Sequence, residues 1–224
     1  MKNQNYLPER RPLAARNWNA SQVAAEWLAA RKASPNAISI MGLLVSVGAG
    51  AALANSSAGG RPWLWLVLAC LLILARGMCN MLDGMVAIAS GKASRGGELF
   101  NEVPDRISDS AILIGAGYVC GGIPELGYVA AIAAVFTAYV RVQGCSLGTK
   151  ADFCGPMAKI HRMVVVVIAA LYTAFTPAAW QPTISGLPGA GAMAIALAVI
   201  IIGCAVTSLH RLRRIAHFLT NQPR

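Results

Sequence analysis

Apolar residues in this chain fall in long blocks, near 37–55, 62–82, 107–123, 127–147, 162–180 and 188–209. Each block is close to the roughly 20 residues that a helix needs to cross a hydrocarbon core. The pattern therefore predicts an all-α integral membrane fold with six transmembrane helices. Glycine and proline punctuate it, at Gly59, Gly60 and Pro62, at Gly121, Gly122 and Pro124, and at Pro177, Pro182 and Pro188, as turns between helices require. Residues 18–33 have a different character. Val23 and Trp27 share one helical face with Ala24 and Leu28 beside it, and Glu26 and Arg31 sit elsewhere. That arrangement suits an amphipathic helix lying on the membrane surface. Ser34-Pro35-Asn36 then ends the arm and opens the first span, because Ser and Asn favour helix caps and Pro is tolerated in the first turn. The expected organisation is an amphipathic arm over 1–34 and one six-helix domain over 35–224.

Composition excludes a soluble domain. Of 224 residues, 56% are hydrophobic and 12% charged, where soluble domains carry about a quarter charged. The 19 Lys and Arg give a net charge of +10, and only Arg61 among them falls in an expected outer loop. The others alternate as an even number of spans demands, so the positive-inside rule puts both termini in the cytoplasm. Topology and anionic headgroups account for the charge. No basic–aromatic interleaving points to nucleic acid. The six cysteines show no CxxC spacing and read as small packing residues.

Chemistry concentrates between Asn80 and Asp109. Asn80, Asp83, Gly84 and Ala87 recur at i, i+3, i+4 and i+7, one face of a helix. Asn101, Asp105 and Asp109 recur at i, i+4 and i+8 on the next helix, with Gly97 one turn earlier. Ionisable groups beside membrane spans are costly and are functional candidates by default. A short inner loop lets the two faces meet as a cluster of oxygen donors, the chemistry a hard cation such as Mg²⁺ binds. A metal beside a slot lined by small residues is what holding a diphosphate and stabilising a transferring phosphoryl group calls for.

The frame Asn80-x2-Asp83-Gly84-x2-Ala87-Ile88-x8-Gly97-x3-Asn101-x3-Asp105 resembles the motif D-x2-D-G-x2-A-R-x8-G-x3-D-x3-D of the CDP-alcohol phosphotransferases, six-helix membrane enzymes of phospholipid synthesis. Pro35-Asn36-Ala37-Ile38-Ser39 resembles the start of that family's first helix, and Gly155-Pro156-Met157-Ala158-Lys159-Ile160-His161-Arg162 the basic start of its fifth. Three positions depart from the motif: Asn80 and Asn101 replace aspartates, and Ile88 replaces the arginine. Asn in both places resembles a divergent bacterial branch of the family. An amide oxygen preserves ligation, but the charge at the four ligand positions falls to about half.

The resemblance implies attack by an acceptor hydroxyl on the β-phosphorus of CDP-diacylglycerol or another CDP-alcohol, releasing CMP. It implies metal ligation by Asn80, Asp83, Asn101 and Asp105, with Mg²⁺ or Mn²⁺ bound. Asp83, Gly84, Ala87 and Gly97 would hold the CDP moiety, and Asp105, with Asp109 one turn on, would act as base. Arg141, Lys159 and Arg162 would bind the phosphate of a small alcohol or polyol phosphate acceptor. The family also implies a homodimer in the inner membrane, its active site facing the cytoplasm. Arg76, near the inner end of its span, reads as a snorkelling side chain. Two rival readings stand beside this one. A catalytically impaired scaffold or nucleotide-lipid binder is motivated by Ile88 and the two asparagines. A small transporter is opposed by the absence of mid-span charge.

Overall fold

The computed structural model describes residues 18–58, 60–91, 95–184, 186–187 and 189–221, less the side chains of Arg95, Glu98 and Ala178. Of the expected features, the turn residues Gly59 and Pro188, the arm before residue 18 and the basic residues Lys2, Arg10, Arg11, Arg16, Lys92 and Arg224 counted toward the inner side lie outside the described residues. The described chain is helical: α1 (Asn19–Ala30), α2 (Pro35–Asn55), α3 (Pro62–Ala89), α4 (Arg95–Gly117), α5 (Pro124–Ser146), α6 (Lys159–Phe175) and α7 (Ala192–Thr220), with a 3₁₀ turn at Ala178–Trp180. Pro35, Pro62 and Pro124 each occupy the first turn of a helix, where the missing N–H has no helical partner to lose.

Helices α2, α3, α6, α7, α5 and α4 pack in that order into a closed ring, and α4 also reaches α6 and α7. This places α4, the most polar of the six, against the greatest number of neighbours, and Ile112, Leu113 and Ala116 on it are fully buried. Leu71, Leu74, Ile132 and Ile202 point outward and are more than half exposed, the inverse of a soluble surface. α1 lies against α3. Its Ala25 is buried, whereas Val23 and Trp27 are exposed.

Four helices, α2, α3, α5 and α7, are long and apolar enough to cross a membrane. The expected six spans are thus only partly matched, and the reasons are local. α6 has 17 residues, because Pro177 follows it closely, so it stops short of the expected 162–180. α4 starts at Arg95, well before the expected 107, and carries Glu102, Asp105, Arg106 and Asp109 before its last two turns. α7 continues to Thr220, past the expected 209.

The inner packing depends on glycine at one crossing. A Cβ on Gly50 of α2 would lie 2.3 Å from the Ala111 carbonyl oxygen of α4, and one on Gly115 would lie 2.2 Å from the Gly50 oxygen. Only bare backbones fit there. Of the cysteines Cys70 and Cys204 are buried and the other four are not, so packing accounts for part of the set.

Candidate active site

The last turns of α3 and the first half of α4 bring the motif residues together. Asn80 Nδ2 donates to Asn101 Oδ1 at 3.2 Å and to both Asp105 oxygens at 3.0 and 3.2 Å. Asp83, 3% exposed, accepts from Ser39 Oγ of α2 at 2.8 Å and from the Gly84 N–H. Pro104 interrupts α4 beside these residues. Having no N–H, it leaves the Phe100 carbonyl without its usual i+4 donor.

A buried charge network backs the cluster. The Arg76 guanidinium donates to Asp105 Oδ1 at 3.2 Å and to Asp109 Oδ1 at 2.8 Å, and Arg162 donates to Asp109 Oδ2 at 2.7 Å. Lys159 forms an ion pair with Asp105 Oδ2. Arg162 also donates to the Met157 carbonyl at 3.1 Å. Buried charges persist when paired and hydrogen-bonded in this way.

Asn80, Asp83, Asn101 and Asp105 line a narrow cleft with Ser39 and Arg76. The same four line an open cavity of about 950 Å³ of empty space, whose other walls include Gly84, Arg141, Lys159, Arg162 and Arg211. Oxygen donors and cationic side chains thus share the cavity lining, with Lys159 against Asp105. Glu102 Oε1 accepts from Arg141 and Oε2 from Arg106, and Arg141 lies over the Phe153 ring, 5.2 Å from its centroid. Among the described residues Arg211 donates to main-chain carbonyls alone, to Cys154 at 3.0 Å and Thr137 at 2.9 Å.

Most expected site residues converge, and three do not line this cavity. Asp109 is 1% exposed behind it, with both oxygens held by arginines, so it has no lone pair facing a substrate. Ala87 and Gly97 are absent from its walls. Ile88, at the motif arginine position, is 52% exposed and also off the cavity. Arg76 corrects the expectation of snorkelling. It is 4% exposed and points inward, and the signal was available, since it stands one turn before Asn80 on the same face. Ser39, Glu102 and Arg211 were missed as site residues, Arg211 because α7 outlasts its apolar block.

The donor set can be tested against a divalent cation. Among the described residues no three His, Cys, Asp or Glu side chains converge as a metal-binding group, so ligation needs the asparagine oxygens. Two carboxylates and two amides facing one cavity suit a hard oxygen-seeking ion. Half a turn of the Asn80 amide would present its oxygen. The residues fit.

A family model described as CDP-alcohol phosphatidyltransferase matches residues 32–209. An archaetidylinositol phosphate synthase of Pyrococcus horikoshii is 27% identical over 150 residues, 66% of this chain and 74% of the relative. Another, of Methanothermobacter thermautotrophicus, is 29% identical over 136 residues, 60% of this chain and 64% of its own length. Among solved structures, the Mycobacterium tuberculosis phosphatidylinositol phosphate synthase with CDP-DAG bound superposes with a TM-score of 0.69 at 19% identity, covering 87% of this chain and 92% of that one. The same enzyme with manganese and citrate gives 0.69 at 19% identity, covering 87% and 88%. At that identity the structures speak for the fold alone. With the family model spanning most of its length and the motif residues gathered in one cavity, this chain belongs to the CDP-alcohol phosphatidyltransferase family and is a CDP-alcohol phosphotransferase.

Proposed function

We propose that this protein transfers a phosphatidyl group from CDP-diacylglycerol to a small polyol phosphate at the cytoplasmic face of the inner membrane, releasing CMP. The observation that carries the reading is the shared cavity, lined by Asp83 and Asp105 together with Lys159, Arg162 and Arg211. An anionic donor and an anionic acceptor need oxygen ligands for a cation and cationic side chains within one cavity. The relatives named as archaetidylinositol phosphate synthases, and the CDP-DAG held by the mycobacterial enzyme, support the choice of donor and acceptor class.

In the reaction an acceptor hydroxyl oxygen forms a bond to the β-phosphorus. The bond from that phosphorus to the bridging oxygen breaks, and CMP leaves with the electron pair. Asp105, which lines the cavity, takes the hydroxyl proton. Asn80, Asp83 and Asn101 would hold a divalent cation, Mg²⁺ or Mn²⁺, beside Asp105, and when bound it supplies positive charge to the diphosphate. Lys159 and Arg211 orient the acceptor phosphate as charge-assisted donors. Asp109 takes a positioning role, since Arg76 and Arg162 occupy it.

The reading extends to the whole molecule. Helices α2–α7 are the six spans, α1 lies on the inner surface with Val23 and Trp27 toward lipid, and two copies associate. The asparagines at 80 and 101 mark a branch that keeps ligation geometry with less charge. Purified protein with Mg²⁺ or Mn²⁺, CDP-diacylglycerol and a panel of polyol phosphates tests the activity. Metal-dependent CMP release supports it. Its absence with every acceptor would favour a scaffold.

A further inference from the structure

We infer that the cavity takes a single divalent cation, on its Asp83 side, and that Lys159 supplies to Asp105 the positive charge a second ion would bring. This rests on the transfer reaction proposed above and deepens it.

Each oxygen of Asp105 already faces a cation, Oδ1 the Arg76 guanidinium at 3.2 Å and Oδ2 the Lys159 ammonium. Asp109 is held by Arg76 and Arg162. Asp83 differs. It accepts from Ser39 Oγ and the Gly84 N–H, neither of them charged, and pairs with no basic side chain at bonding distance among the described residues. Its remaining lone pairs are the ones open to a cation.

Charge gives the same answer. Arg76, Lys159 and Arg162 match Asp83, Asp105 and Asp109 one for one, and all six are gathered between α3, α4 and α6. With amides at 80 and 101 there is no surplus negative charge to hold divalent ions in advance. The diphosphate of a CDP-linked donor brings about two negative charges, which one divalent ion matches. A second ion at Asp105 would have to displace Lys159, leaving its buried ammonium without a carboxylate.

Mn²⁺ titration of the purified full-length protein with CDP, read by electron paramagnetic resonance, tests this. The expected result is about one bound Mn²⁺ per chain without spin coupling between ions, because one carboxylate stays open. Two coupled ions per chain, or none, would overturn the inference. Lys159→Met is expected to admit a second, coupled ion, and Lys159→Arg to stay at about one. A Lys159→Met protein that still binds one overturns the role given to Lys159. Lys159→Gln carries the same expectation where Lys159→Met does not fold. CMP release from the same preparation separates the two claims. Two coupled ions with CMP release would overturn the inference and leave the transfer standing, whereas one ion without release from any acceptor would count against the transfer alone.

Discussion

Arg76 of α3 and Asp109 of α4 meet at 2.8 Å with side chains only 4% and 2% exposed. Neither lines the open cavity, yet between them they fix the rotation of the helices that do. Arg76 continues to Asp105 and Asp109 continues to Arg162, so three helices are locked where the cavity wall is built.

Asp109→Asn should therefore act on stability first. Removing its charge leaves buried Arg162 without a carboxylate and Arg76 with Asp105 alone, a loss of about 3–5 kcal/mol. Thermal unfolding in detergent is expected to shift markedly downward. An unchanged transition would contradict the positioning role.

Ser39 should matter for catalysis through Asp83 alone. Its hydroxyl holds Asp83 Oδ2 at 2.8 Å. A hydrogen bond to a charged group contributes about 1.5–3 kcal/mol. Ser39→Ala should slow CMP release about tenfold or more and lower the unfolding temperature, by less than Asp109→Asn does.

Gly50→Ala tests the backbone crossing of α2 and α4. The added methyl meets the Ala111 carbonyl oxygen at 2.3 Å, and neither backbone can yield without moving its helix. Overpacking of this kind costs about 1–3 kcal/mol. The variant should unfold earlier and lose activity, whereas Gly48→Ala, facing Leu72 at 3.7 Å, should behave like the parent.

Arg141 and Arg211 of the cavity lining should separate in steady-state kinetics. Arg141 is already neutralised by Glu102, but among the described residues Arg211 bonds to carbonyls alone and keeps its charge for an incoming phosphate. Arg211→Met is expected to raise the acceptor KM about tenfold, in line with loss of a charge-assisted contact, with the donor KM little changed. Arg141→Met should raise it less.

Much of this was legible in the sequence. Proline and glycine spacing set the helix starts at Pro35, Pro62 and Pro124, and the i, i+3, i+4 pattern at Asn80 and Asp83 placed both on one face. What failed was reading polarity as the end of a span. α4 and α7 run on through polar residues because their partners, Arg76 and Arg162 for α4 and carbonyls for Arg211, come from helices distant in sequence. Hydropathy sees a charge but not the opposite charge that will meet it. For the same reason Asp109 read as a second base when its oxygens are spoken for. The partly polar α4 and the 17-residue α6 are not among the helices long and apolar enough to cross a membrane.

The central claim is that Asp83 and Asp105 work on one bound diphosphate within one cavity. The direct measurement is CMP release from CDP-diacylglycerol by purified protein, with and without EDTA, for the parent and for Asp83→Ala. The account expects release by the parent with a suitable polyol phosphate, its loss with EDTA, and its loss in Asp83→Ala protein that remains folded. CMP release persisting in that variant would contradict it.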